Sequence, residues 1–135
     1  MLNTVPEEVK KNRETAHEIH PLIVSRWSPR AMTGEQISRD DLMTLFEAAR
    51  WAPSSYNEQP WRFVYALRGT EHWDKLLGLL VEANQEWAQH AGAIMVIVTS
   101  KNFSRNNKPN TSASFTSGAA MQNLLLEATN RGLAA

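Results

Sequence analysis

The chain has 135 residues, 42% of them hydrophobic, with fourteen basic and fourteen acidic side chains and no cysteine. That length and apolar content suit one globular domain with a buried core, and a second is not expected. Balanced charge argues against a general affinity for nucleic acid or anionic membrane, and the missing thiols rule out disulfides, thiol catalysis and thiolate metal sites.

The opening residues, Met1-Leu2-Asn3-Thr4-Val5-Pro6-Glu7-Glu8, lack a basic region followed by an apolar one, so no secretion signal is expected and the segment should stay in the mature protein. The longest apolar run, Ala91 to Val98, is eight residues, where a spanning helix needs about 20. A soluble, cytoplasmic protein is the expectation. Without a signal, the glycosylation patterns at Asn102-Phe103-Ser104 and Asn110-Thr111-Ser112 are read as coincidental.

Pro6 to about His20 is highly charged with weak apolar periodicity, and suits a helix or an arm used for packing or dimer contact. Arg26-Trp27-Ser28-Pro29-Arg30 follows, with two guanidinium groups and a hydroxyl in five residues. Such a set can neutralise and hydrogen-bond a phosphate or an electron-rich ring edge, although two solvated arginines are the blander reading. Ser38 then caps a helix with Asp41 three residues on, and Leu42, Leu45, Phe46 and Ala49 mark its core face. It should stop near Trp51-Ala52, because Ala52 precedes a proline.

Pro53-Ser54-Ser55-Tyr56-Asn57-Glu58-Gln59-Pro60-Trp61 is a run of small hydrogen-bonding side chains held between two prolines. The prolines bias the backbone before them, so the loop is partly ordered before it binds anything. Trp61 to Leu67 has strand composition, and Gly69-Thr70 punctuates the chain. Thr70 can cap a helix in which Trp73, Leu76, Leu77 and Leu80 share a face up to about Ala83. Ala93 to Thr99, apolar and partly β-branched, fits a central strand covered on both faces. Lys101 to Ser112 is a polar surface loop suited to act as a lid. The final helix runs from about Ser114 to Arg131, with Met121, Leu124, Leu125 and Ala128 at helical spacing and Gly132 as its stop. Gly118, Ala119 and Ala120 give its start a thin face, suited to a subunit contact or to packing within one subunit.

No G-x-G-x-x-G, phosphate-binding loop or G-x-S-x-G elbow is present. His17, His20, His72 and His90 read as surface residues, and no metal site is expected. Taken together, the arginine cluster and the proline-bounded loop supply cations, hydroxyls and carboxamides, the set needed for a phosphorylated, heteroaromatic cofactor.

These residues resemble the nitroreductase-like flavoproteins, which bind FMN and act as homodimers. Arg26-Trp27-Ser28-Pro29-Arg30 is similar to that family's arginine-x-serine-x-basic opening. Ala52-Pro53-Ser54-Ser55-Tyr56-Asn57-Glu58-Gln59-Pro60-Trp61 is similar to its proline-serine-serine-x-asparagine-x-glutamine-proline-tryptophan loop. Asn84 resembles a flavin-contacting asparagine, and Gly118 to Leu126 with Arg131-Gly132-Leu133 resembles the family's long helix. The likeness runs from about Pro21 to Ala135. It implies an α+β, three-layer fold with a central, mostly antiparallel sheet flanked by helices, homodimeric. Residues 1–135 would then form a single domain lacking the family's C-terminal part, because relatives continue through another strand and a flavin-covering loop.

By the same resemblance, Arg26 would bind the FMN phosphate, Ser28 the phosphate or ribityl chain, and Arg30 would sit near the pyrimidine edge, where negative charge builds when the flavin accepts a hydride. Trp27 and Pro53 belong to the two cofactor-binding motifs. Ser54, Ser55, Asn57 and Gln59 would reach the cofactor held mainly by the other subunit, and Asn84 would contact the isoalloxazine ring. Trp87 stands where some relatives carry a lysine. The implied activity is a ping-pong NAD(P)H:acceptor oxidoreductase acting on a nitroaromatic, quinone or similar electron-poor molecule, with no protein nucleophile. The alternatives are an FMN-binding protein without turnover and a dimerisation module that binds no flavin.

Overall fold

The computed structural model describes residues 4–135; residues 1–3, at the head of the stretch read as lacking a secretion signal, lie outside the described residues. Helices α1 (Glu7–Lys10) and α2 (Pro21–Ser25) precede α3 (Arg39–Arg50), strand β1 (Trp61–Leu67), helices α4 (Trp73–Leu77) and α5 (Glu82–Ala88), strand β2 (Ala93–Thr99) and helix α6 (Ala113–Asn130).

Helix α3 starts where its cap demands. The Ser38 hydroxyl oxygen accepts the Asp41 N–H at 3.0 Å while donating to the Asp41 carboxylate at 2.6 Å. At the other end of the chain, Gly132 turns at φ 74° after α6. Its N–H reaches the Thr129 carbonyl at 3.1 Å and the Leu133 N–H reaches that of Ala128 at 2.9 Å, so the last turn's carbonyls are satisfied.

Strands β1 and β2 pair antiparallel, with Trp61 opposite Thr99 and Leu67 opposite Ala93. Alternation sends Trp61, Phe63, Tyr65 and Leu67 to one face, with Ala93, Met95 and Ile97, against a core of Leu42, Leu45 and Ala49 from α3 and Ala120, Leu124 and Ala128 from α6. Phe46 stacks on Phe63 at 4.7 Å between ring centres. On the opposite face, Ala66 and Ile94 pack under Trp73 and Leu76 of α4. Helices therefore lie on both sides of a small antiparallel sheet, the α+β layering expected.

Three expectations are corrected. First, β2 is not covered on both faces: α4 shields only one end, and Val64, Val96 and Val98 are 50%, 37% and 50% exposed. A continuous apolar run carries no information about which of its two faces receives a neighbour. Second, the helix expected from Thr70 to Ala83 is two helices. Gly78 closes α4, donating to the Asp74 carbonyl at 2.9 Å, and Val81 is extended at ψ 150° before α5 begins. The Thr70 hydroxyl caps nothing, since it donates to the Leu67 carbonyl at 2.7 Å. Third, the polar loop after β2 is not a free lid. Phe103 N donates to Lys108 O at 2.9 Å, Asn110 N to Lys101 O at 2.8 Å, and Asn102 Nδ2 to Asn107 Oδ1 at 3.1 Å.

Gly92 has a definite steric role. A Cβ there would lie 2.8 Å from the Glu35 carbonyl oxygen and 3.0 Å from the Ile37 nitrogen, so the chain entering α3 crosses directly over the start of β2. The Arg68 guanidinium ties the same crossing by donating to the Gly34 carbonyl. Among the described residues, no helix is long and apolar enough to cross a membrane.

Candidate functional site

Pro53 ends the reach of α3, and buried Pro60 anchors the far side of the loop at the entry to β1. Between them Tyr56, Asn57 and Gln59 adopt φ 55°, 55° and 49°, three left-handed residues in four positions without a glycine. Such conformations cost roughly 1–3 kcal/mol each and persist only where the surroundings enforce them. Here the loop's own polar groups contribute. Ser54 accepts the Gln59 N–H on its hydroxyl oxygen at 3.0 Å and the Asn57 N–H on its carbonyl, also at 3.0 Å. Gln59 Nε2 donates to Asn57 Oδ1 at 2.9 Å, and Arg62 Nη1 holds the Gln59 carbonyl at 2.9 Å. Ser54, Asn57 and Gln59 are thus one connected network, with half-buried Ser55 and exposed Pro53 beside it.

An open cleft of about 210 Å³ is lined by Asn57, Gln59, Arg50 and Trp51. Trp51 presents its ring to solvent at 75% exposure, held by its indole N–H, which donates to Glu47 Oε1 at 3.0 Å. The same carboxylate accepts from Arg50 Nη2 at 2.7 Å. These two donors, Arg50 first, hold the Glu47 carboxyl below its ordinary range. Arg50 and Trp51 were not among the predicted site residues. The available signal was their position at the C-terminal end of a helix that leads directly into the loop.

The second cluster is separate. Arg26 follows α2 in extended backbone, and its Nη1 donates to Ser28 Oγ at 3.1 Å. Arg13 braces this segment, donating from Nη1 to the carbonyls of Val24 and Arg26, both at 2.7 Å. Pro29 is buried, whereas Trp27, Ser28 and Arg30 are exposed. Among the described residues, neither Arg26 nor Arg30 has a carboxylate partner. A larger cleft, about 300 Å³, opens beside α2 with Lys10, Arg13 and Glu18 on its wall, and shares no residue with the predicted site.

Asn84 stands apart in the first turn of α5, exposed, accepting from Trp87 Nε1 at 3.3 Å. No direct hydrogen bond joins it, or the Arg26–Arg30 segment, to the 53–60 loop among the described residues. Within one chain the predicted site is therefore three groups. His20 is a local cap, its Nδ1 accepting the Leu22 N–H at 3.2 Å, and among the described residues no cluster of three metal-ligating side chains occurs.

Residues 23–135 match the family model described as the nitroreductase family. The chain belongs to the nitroreductase family. A solved structure described as an oxidoreductase containing FMN is 39% identical, with a TM-score of 0.85 over 90% of this chain and 63% of its own. A nitroreductase in complex with FMN from Desulfovibrio desulfuricans is 29% identical, with a TM-score of 0.68 over 82% of this chain and 61% of its own. A curated Archaeoglobus fulgidus protein, provisionally named NADH dehydrogenase/NAD(P)H nitroreductase, is 44% identical over 43 residues, 32% of this chain and 25% of that protein. This nitroreductase-family chain thus spans about a quarter of the curated relative and under two thirds of either solved chain. Its loop and arginine segment both fall inside the matched region.

Proposed function

We propose that this nitroreductase-family chain is an FMN-dependent oxidoreductase that takes electrons from NAD(P)H and passes them, by a ping-pong mechanism, to an electron-poor acceptor such as a nitroaromatic or quinone. The observation that carries this reading is the 54–59 network, where left-handed backbone is maintained with Asn57 and Gln59 on the wall of an open cleft. Backbone strain of this kind clusters at ligand sites, where it is part of pre-organisation.

The donor chemistry fits FMN. A phosphate needs cations, and the guanidinium groups of Arg26 and Arg30 have no carboxylate to neutralise them among the described residues. A ribityl chain and a ring edge need hydroxyls and amides, offered by Ser28, Ser54, Ser55, Asn57, Gln59 and Asn84. Both solved relatives described above carry FMN in their descriptions. When bound, FMN supplies the hydride chemistry. Arg26, braced by Arg13, holds the phosphate with Ser28, and Arg30 stabilises negative charge at the ring's pyrimidine edge. Trp27 and Pro53 border these groups, and orientation replaces any protein nucleophile.

A homodimer completes the site. Helix α6 exposes Phe115, Gly118, Met121 and Gln122 along one side, and a second copy covering that side would bring its own 54–59 loop to a cofactor held by the first. The visible spectrum tests the reading. Purified protein, reconstituted with FMN where needed, should be yellow and should bleach on adding NAD(P)H without oxygen. Protein that stays colourless after reconstitution rejects FMN binding, and bound FMN that neither nicotinamide reduces rejects turnover.

A further inference from the structure

We propose that residues 103–105 act as a clamp that sets the conformation of the cofactor loop, with Glu58 and Arg105 as its two positioning residues. The loop's side chains divide by alternation. Asn57 and Gln59 line the open cleft, whereas Tyr56 and Glu58, the intervening positions, engage the loop that follows β2. Glu58 is gripped twice: Ser104 N donates to its Oε1 at 2.8 Å and Ser104 Oγ to its Oε2 at 3.2 Å. Arg105 lays its guanidinium over the Tyr56 ring at 4.0 Å and near the Phe103 ring at 5.4 Å. Tyr56 and Phe103 meet edge to face at 5.7 Å.

The gripping side is itself stiff. Hydrogen bonds from Phe103 N to Lys108 O, from Asn107 N to Phe103 O and from Asn110 N to Lys101 O close it into one unit. That unit is fixed at one end to β2 and at the other to α6, where Ser112 Oγ donates to Asn110 Oδ1 at 2.9 Å. A left-handed backbone at Tyr56 and Gln59 needs outside support, and Ser54 bonds Asn57 and Gln59 but neither Tyr56 nor Glu58. The clamp holds those two. Because Tyr56 and Glu58 are spoken for, Asn57 and Gln59 are left facing the cleft.

The consequence for FMN rests on the function proposed above; the clamp itself does not. Two measurements on the full chain separate them, with thermal melting to confirm that each variant folds. Amide hydrogen exchange at 57–59, measured without flavin, should rise at least tenfold in Glu58→Ala and in Arg105→Ala while the amides of α3 keep their protection. Ser104→Thr, which retains both donors, should behave as the parent. Unchanged exchange at 57–59 in both alanine variants overturns the clamp, whatever the protein does with FMN. In the second measurement, flavin fluorescence titration should show FMN bound about tenfold more weakly in Glu58→Ala. An equal Kd in variant and parent overturns the positioning role, whereas a parent that binds no FMN rejects the proposed function and leaves the clamp to be decided by exchange.

Discussion

At the residue scale, the motif was legible as a set of donors but not as a geometry. Hydroxyls and carboxamides can be read from Ser54 to Gln59, yet nothing in a glycine-free loop announces three left-handed residues. Side chains of the loop find partners up to 46 positions away, as Glu58 does with Ser104, and no local pattern shows such a partner. Glu47 shows the same dependence on neighbours and carries a testable pH effect. Hydrogen bonds from Arg50 and then Trp51 lower its pKa from an ordinary value of 4.5. A carboxylate depressed in the folded state contributes stability above its unfolded pKa and loses it as pH falls through the lower folded value. Glu47→Gln should therefore melt below the parent at pH 7, and the gap should close on acidification below about pH 4. A gap that persists at pH 3 would show that the charge is not its source.

At the element scale, starts and stops were the readable features, because caps are local chemistry. The Ser38 cap and the Gly132 stop formed where their residue types demanded. The stretch from Thr70 to Ala83 did not follow its leucine spacing, since a glycine at 78 and an extended Val81 outweigh a face pattern that is only propensity. Gly92 belongs to this scale too, as the point where the entry to α3 and the start of β2 touch. The atoms a methyl group would strike are backbone and cannot rotate away. Gly92→Ala should cost about 2 kcal/mol or more, the range of core overpacking, measured by urea denaturation. A loss under half of that would mean the crossing yields easily.

At the scale of the whole molecule, apolar surface is distributed unevenly. Phe115, 83% exposed, and Met121 stand on the outer side of α6, while the opposite side buries Ala120, Leu124 and Ala128. At protein concentrations low enough to dissociate the parent, Phe115→Lys should leave the melting temperature nearly unchanged, because so exposed a ring contributes little internally. It should shift the sedimentation profile from dimer to monomer and weaken FMN binding with it. A parent protein that sediments as a monomer at all concentrations would remove the subunit-spanning site. The outer face of the sheet, with Val64, Val96 and Val98, is a second apolar area, and its last two residues belong to a run whose composition alone suggested cover on both faces.

By itself the sequence determined that helices and strands both occur, the ends of α3 and α6, both strands and the two polar motifs, because each follows from period, cap or residue type within a few positions; the α+β layering was what the family resemblance implied. It also determined that none of these 135 residues can supply a thiol, there being no cysteine among them. Only the tertiary structure decided which sheet face is covered, that Gly92 sits under the entry to α3, and that Asn57 and Gln59 look into a cleft while Tyr56 and Glu58 hold on to residues 103–105. Those outcomes depend on which distant segments meet. Contacts across the fold are a property of the packed chain, and no local pattern encodes them.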